Sequence, residues 1–217
     1  MAVKARPAPI VAPLYDWSGC YIGGHAGGTW GRTNVNIPNY PSNFDTDSNS
    51  FSGGALAGCQ FMTQSRFVFG VEGDYTWMDL DSNHLSGLGL EQFHVHYDQM
   101  ASIRGRVGYS PMTMSNLLLY VTGGYAAANL SQANYVPLAP AANAFRSGWA
   151  NGWTVGAGVE WAFASNWIAG VEYLYSSFDR QDFFYNGPTS VKLTDVNTVR
   201  ARLSYKFNWA TPVVAKY

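Results

Sequence analysis

The chain has 217 residues with 13 basic and 14 acidic side chains, a formal net charge of −1, and only 12% of its residues are charged, about half the roughly 25% of a soluble globular domain. A neutral balance without basic runs argues against a nucleic-acid partner, and 8 Trp, 14 Tyr and 12 Phe beside 23 Gly argue against disorder and for Gly-punctuated strands. No stretch approaches the roughly 18 consecutive apolar residues of a membrane helix, yet a mean hydropathy of −0.11 fits a β-barrel, whose lipid face takes only alternate residues.

The N-terminal segment MAVKARPAPIVAPLYDW has no apolar h-region and is not a signal peptide as it stands. The expectation is a mature chain whose signal has been removed, or else a cytosolic protein. Pro7, Pro9 and Pro13 fix φ and remove donors, so residues 1–16 read as an extended tail, periplasmic if the chain is exported. Residues 17–209 read as the barrel and 210–217 as a C-terminal extension.

After Asp16, segments of roughly a dozen residues alternate with long polar stretches and short turns. The long stretches run from about Arg32 to Phe51, Asp81 to His96, Leu130 to Gly148 and Arg180 to Thr194, and the short ones fall near Gln64, Pro111 and Ser165. One rim with extended loops and one with tight turns is the rhythm of an up-and-down barrel, here eight-stranded, all-β and antiparallel.

Parity within the strands decides which face meets lipid. The third strand sets Phe67, Phe69, Val71, Gly73, Tyr75 and Trp77 against Glu72, Asp74 and Thr76. The fourth sets Ala101, Ile103, Val107 and Tyr109 against Ser102, Arg104 and Arg106. The sixth and seventh set aromatic and aliphatic faces against Glu160 and Glu172, and the last sets Val199, Ala201, Leu203, Tyr205 and Phe207 against Arg200, Arg202 and Lys206. The many rings of the apolar face cannot fit inside an eight-stranded barrel, so that face points outward. A lipocalin-like barrel would have the reverse arrangement, whereas an outward apolar surface of this extent would aggregate in water and is satisfied by lipid. Trp30, Trp77 and Trp153 near the loop rim, and Trp161, Phe163, Trp167, Phe207 and Trp209 near the turn rim, read as two interfacial girdles.

The inward face then combines small residues, among them Gly54, Gly58, Gly124, Gly156, Gly158 and Gly170, with four acids (Glu72, Asp74, Glu160, Glu172) and five bases (Arg104, Arg106, Arg200, Arg202, Lys206). Buried charges persist only when paired, so a salt-bridged lumen is expected. Glu160 and Glu172 on adjacent strands superficially suggest a carboxylate pair, but bases share that interior, and no nucleophile elbow, phosphate loop or zinc-spaced cysteine set is present. No enzymatic activity and no cofactor is expected. His84, His94 and His96 fall in or beside the second long loop. The two-residue spacing of His94 and His96 aligns two imidazoles on one side of an extended segment, a candidate for metal or haem iron beside the reading as solvated loop histidines.

The segments WSGCYIGG from Trp17, GVEGDY from Gly70, IRGRVGY from Ile103, LYVTGGYA from Leu119, GWTVGAGVEWAF from Gly152, VEYLY from Val171 and VRARLSYKF from Val199 resemble the small outer-membrane β-barrel proteins of alphaproteobacteria, often called outer-membrane immunogenic or porin-family proteins. The resemblance spans about Trp17 to Phe207. It implies eight strands, export through a cleaved signal peptide and insertion by the barrel assembly machinery. It also implies a surface-exposed role in envelope integrity, with small-solute passage or loop-mediated haemin or host-ligand binding as alternatives, and self-association as a further partner. Two departures stand out: the chain continues past Phe207 as NWATPVVAKY, and Cys20 and Cys59 stand where the family tends to place aromatics. Both cysteines have outward parity near the turn rim of the neighbouring first and second strands. They are read as a cross-strand disulfide in an oxidising periplasm, or as two free apolar thiols.

Overall fold

The computed structural model describes residues 14–36, 44–85, 92–135, 144–179, 181–184 and 188–207, with side chains described over 14–31, 49–78, 99–129, 148–179 and 196–207. Nine antiparallel strands follow in order: β1 (Gly19–Asn36), β2 (Phe44–Met62), β3 (Phe67–Leu85), β4 (Gln92–Tyr109), β5 (Leu117–Tyr135), β6 (Ala144–Ala162), β7 (Trp167–Phe178), β8 (Gln181–Phe184) and β9 (Pro188–Phe207). Each long strand pairs with the next, β7 pairs with the lower part of β9, and β9 pairs with β1 to close an eight-stranded barrel. The short β8 pairs with the upper part of β9 and extends that wall beyond β7.

The outer half of the molecule corrects the expected loop boundaries. Pairing of β1 with β2 continues to Val35↔Phe44, that of β3 with β4 to Leu85↔Gln92, and that of β5 with β6 to Asn134↔Ala144. Most strands therefore run 18–20 residues, about twice the 9–11 that cross a membrane. Polar residues continue a strand once its outer face meets water, so loss of apolar alternation marks the membrane boundary and not the strand end. Bulges at Trp30/Arg32, Trp77/Leu80 and Tyr97/Gln99 lie in this transition.

The apolar parity faces outward. Ile22, Phe61, Val71, Trp77, Ile103, Val121, Trp153, Trp161, Val171 and Leu203 are all exposed, while the side chains of alternate parity, among them Tyr21, Gln60, Glu72, Thr76, Arg104, Tyr120, Thr154, Glu160, Glu172 and Arg202, are buried. Rings gather at the two ends of this surface. Phe61 stacks on Phe69, Phe67 meets Tyr109, and Trp167 meets Tyr205 near the turns. Tyr75 meets Trp77, and Trp153 meets Tyr175, toward the loops. Trp209 lies outside the described residues.

Candidate functional site

Inward parity on β3, β4, β6, β7 and β9 delivers four carboxylates and four guanidiniums to one level of the lumen. None of the eight residues is more than 6% exposed. Two pairs are direct neighbours in the sheet: Glu72 lies opposite Arg104 on β3 and β4, and Glu172 lies opposite Arg200 on β7 and β9. Arg104 with Asp74, Arg106 with Glu72 and Arg202 with Glu172 are diagonal pairs on adjacent strands, and the other contacts join non-adjacent strands across the interior, which strand pairing alone does not require.

Arg104 donates through Nη2 to Glu72 Oε1 and Asp74 Oδ1, both at 2.7 Å, and through Nη1 across the lumen to Glu172 Oε1 at 3.1 Å. Arg202 donates from β9 to Glu72 Oε2 at 2.5 Å, and its Nε lies 3.2 Å from Glu160 Oε1. Arg106 donates to Glu160 Oε2 at 2.8 Å and lies 3.3 Å from Glu72 Oε2. Arg200 holds Glu172 Oε2 at 2.7 Å and Asp74 Oδ2 at 3.3 Å. Every acid in the layer meets at least two arginines and every arginine at least two acids. Such mutual pairing is the condition under which buried charges are tolerated, although the Nε atoms of Arg104, Arg106 and Arg202 find no hydrogen-bond acceptor among the described residues.

Tyrosines complete the layer. The hydroxyl of Tyr21 donates to Glu72 Oε2 at 2.7 Å and accepts from Arg106, and that of Tyr120 donates to Glu172 Oε1 at 3.0 Å and accepts from Arg202. Each ring has a glycine as its direct cross-strand partner, Gly58 for Tyr21 and Gly158 for Tyr120. A Cβ at either glycine would lie 2.6 or 2.5 Å from the phenolic oxygen, so only glycine leaves room for the ring. The Arg106 guanidinium sits 4.0 Å from the Tyr120 ring centroid, a cation–π contact in a desolvated setting. His25 is buried on β1, with Nε2 3.3 Å from Arg200 Nη1 and 3.4 Å from Thr76 Oγ1.

Lys206 departs from the expected pairing of four acids with five bases. It is buried, but at the turn-rim mouth, where Nζ donates to the backbone oxygen of Asp16 and lies 4.4 Å from the Tyr15 ring centroid. Its partners come from the segment ahead of β1, so the ionic layer among the described residues is four against four.

Apolar clusters flank that layer. Toward the loops, Met78, Met100, Ala126, Ala128, Ala150, Phe178 and Val196 pack together. Toward the turns, Trp17, Val68, Leu118, Tyr120, Ala162 and Ile168 do so, with Tyr15 and Met62 against them. Hydroxyls of Thr29, Ser52 and Thr198, and of Thr154 and Ser176, bond to one another between strands. Tyr15 and Asp16, read in sequence as part of the tail, lie against the barrel mouth. Burial first, and then the charges of Glu160 and Asp16, push the Tyr15 phenol up to about 12, and its hydroxyl donates to the Ser165 carbonyl at 3.3 Å.

Cys20 and Cys59 are direct cross-strand partners on β1 and β2 and form a disulfide with S–S 1.98 Å. His94 and His96 lie within β4, opposite Asn83 and Asp81 of β3, and not in a loop, because the strand pairing extends through this region. Their side chains lie outside the described residues, and His84 falls on β3. Among the described residues no group of three or more His, Cys, Asp or Glu is placed to hold a metal ion. Trp17, Tyr21, His25, Arg66 and Tyr120 are interior residues that the strand-parity reading missed. For the two tyrosines the available signal was the glycine opposite each ring.

A closed antiparallel barrel with an apolar outer wall, aromatic girdles and an ion-paired interior defines the class of small outer-membrane β-barrel proteins. Residues 6–207 match the model of the outer membrane protein beta-barrel domain, and the chain belongs to that family. It is 30% identical over 204 residues to the 25 kDa outer-membrane immunogenic protein of Brucella abortus, covering 93% of this chain and 84% of that one. It is also 30% identical over 203 residues to the 22 kDa outer membrane protein of Rhizobium leguminosarum, covering 94% and 83%. Among solved structures, the outer membrane protein OprG of Pseudomonas aeruginosa superposes with a TM-score of 0.55 at 11% identity, over 90% of this chain and 98% of that one. The outer membrane protease OmpT of Escherichia coli superposes at 0.52 with 9% identity, over 87% and 97%. These two likenesses are of fold alone. The protein is an outer-membrane β-barrel protein of that family, similar to these Brucella and Rhizobium proteins.

Proposed function

We propose that the protein works chiefly as a structural, surface-exposed envelope protein that supports envelope integrity, with a lumen plugged by its paired charges and no enzymatic activity. The observation that carries this reading is the cross-lumen network: Arg104 to Glu172, Arg202 to Glu72, Arg200 to Asp74 and Arg106 to Glu160 tie opposite walls together. Apolar clusters above and below add two layers that ions would have to cross without compensation. The same network argues against catalysis by Glu160 and Glu172, because their oxygens are engaged by arginines. In this reading the outward aromatic surface is solvated by outer-membrane lipid, the barrel assembly machinery inserts the chain, and the loops carry surface contacts.

The test is single-channel conductance of the purified, refolded protein in a planar bilayer, with Glu160→Ala and Arg200→Ala variants beside it. The expected result is a silent wild type and variants with increased leak. Stable wild-type openings whose ion selectivity shifts in the variants would make the protein a narrow porin, and the plug reading would be wrong.

A further inference from the structure

The segment Tyr15–Trp17 takes no part in the ionic layer, yet it is held by several elements of the turn rim. Trp17 is fully buried beneath the layer, and its Nε1 donates to Ser110 Oγ at 3.2 Å and to the Ser115 carbonyl at 3.0 Å. Gln60 of β2 donates to the Trp17 carbonyl at 2.9 Å. Tyr15 reaches the β4–β5 connection through its backbone N–H, on Ser115 Oγ, and the β6–β7 turn through its hydroxyl, on Ser165. The strap thus spans the mouth from one wall to the other.

Two cations hold it. Arg66, in the β2–β3 turn, has a φ of 68° and is the one non-glycine residue with positive φ among the described residues. Glycine would occupy that conformation without strain, but the position carries a buried arginine. Its nitrogens donate to the Ser110 carbonyl, Ser110 Oγ and the Tyr15 carbonyl. Lys206 faces inward without an ion-pair partner among the described residues, and the Asp16 carbonyl and Tyr15 ring compensate its charge. Both cations meet the strap only while it is seated.

We propose that Tyr15–Trp17 is a latch that seals the turn-rim mouth of the barrel, with Arg66 and Lys206 as its catches, so that the lower lumen is a compartment opened by releasing the strap. This deepens the plugged-barrel reading by adding a second, detachable barrier in series with the fixed ionic one. Its readout is access to the lower compartment and not conductance, so the two readings stand or fall separately.

The experiment places a single reporter thiol at Val68, buried in the same cluster as Trp17, by Val68→Cys in the full chain with the native disulfide intact. The refolded protein is treated with an anionic, membrane-impermeant methanethiosulfonate, and the labelling rate is compared in three backgrounds: unaltered, Trp17→Ala, and Arg66→Gly with Lys206→Met. The last keeps Trp17, places at position 66 a residue suited to its positive φ, and removes the catches together with the Arg66 side-chain bonds to Ser110. Labelling is expected to be at least about tenfold faster in both altered backgrounds, as local opening replaces a closed mouth. A catch variant that keeps the heat-modifiable gel mobility of a folded barrel but labels at the unaltered rate overturns the proposal. That arm decides the question even if Trp17→Ala fails to fold.

Discussion

Removing one side chain from the ionic layer should cost more than removing a matched pair. Glu172 takes Arg200 at 2.7 Å, Arg104 at 3.1 Å and the Tyr120 hydroxyl at 3.0 Å. Glu172→Met would leave four guanidiniums facing three carboxylates in a space closed to water, and breaking a buried pair from one side costs about 3–5 kcal/mol. Arg200→Met reverses the imbalance, leaving Asp74 and Glu172 short of a donor, and should cost a similar amount. Glu172 and Arg200 are direct cross-strand partners, so the double variant restores neutrality and places two apolar side chains side by side. Asp74 keeps Arg104 and Ser102, and Arg104 keeps Glu72 and Asp74. The double variant should therefore lose no more stability than either single, a coupling well above the additivity error of about 0.5 kcal/mol for independent sites. The measurement is reversible denaturant unfolding of all four proteins in the same detergent, followed by far-ultraviolet circular dichroism. Losses that simply add would refute the reasoning, because they would mean that each side chain contributes by packing alone.

Two further perturbations follow from the same geometry. Gly27→Ala would put a Cβ 2.0 Å from the Val199 carbonyl oxygen across the β1–β9 seam, whereas Gly28→Ala meets nothing within 4 Å; the first should destabilise by about 1–3 kcal/mol and the second by no more than about 0.5 kcal/mol, read as unfolding midpoints of the two variants. The Cys20–Cys59 bridge joins positions 39 apart, a loop whose closure removes up to about 4 kcal/mol of unfolded-state entropy; a reductant should lower the unfolding midpoint and change the mobility of the heat-denatured chain, and identical behaviour with and without reductant would count against the bond.

The two-residue period made the wall legible. Phe69 to Trp77 and Trp153 to Phe163 alternate so strictly with polar or small residues that the lipid face could be assigned without coordinates, and Glu72, Asp74, Arg104 and Arg106 followed onto the inner face. Their partners were not legible in the same way. Which arginine meets which acid across the lumen depends on the stagger of strands around the barrel, a global property that no single hairpin carries. Strand ends were misjudged because polar residues above the membrane still pair, as Arg32 to Asn36 of β1 do. Lys206 shared the parity of Arg200 and Arg202, but strand parity says nothing about depth, and at its level the barrel offers the backbone of Asp16 and not a carboxylate. Tyr21 and Tyr120 lie on the first and fifth strands, whose tyrosines the parity reading did not place. Pairing each with a glycine in hairpin register would have identified them.

The ionic layer also bears on how the fold is specified. With an apolar outer face and an equally apolar interior, these strands would be hydrophobic on both sides, and a slip of one residue would cost little. The eight buried charges remove that degeneracy. A one-residue slip of β4 or β9 turns Arg104 and Arg106, or Arg200 and Arg202, toward lipid, where an arginine near the bilayer midplane costs about 2–4 kcal/mol. Two arginines per strand therefore penalise the slip by roughly 4–8 kcal/mol, comparable with the whole stability of about 5–15 kcal/mol typical of a folded domain, before the carboxylates stranded inside are considered. Buried ion pairs are poor stabilisers relative to a packed apolar core. Here their larger contribution is against the misregistered alternatives, and the side chains that set the register are the same ones whose cross-lumen contacts join opposite walls.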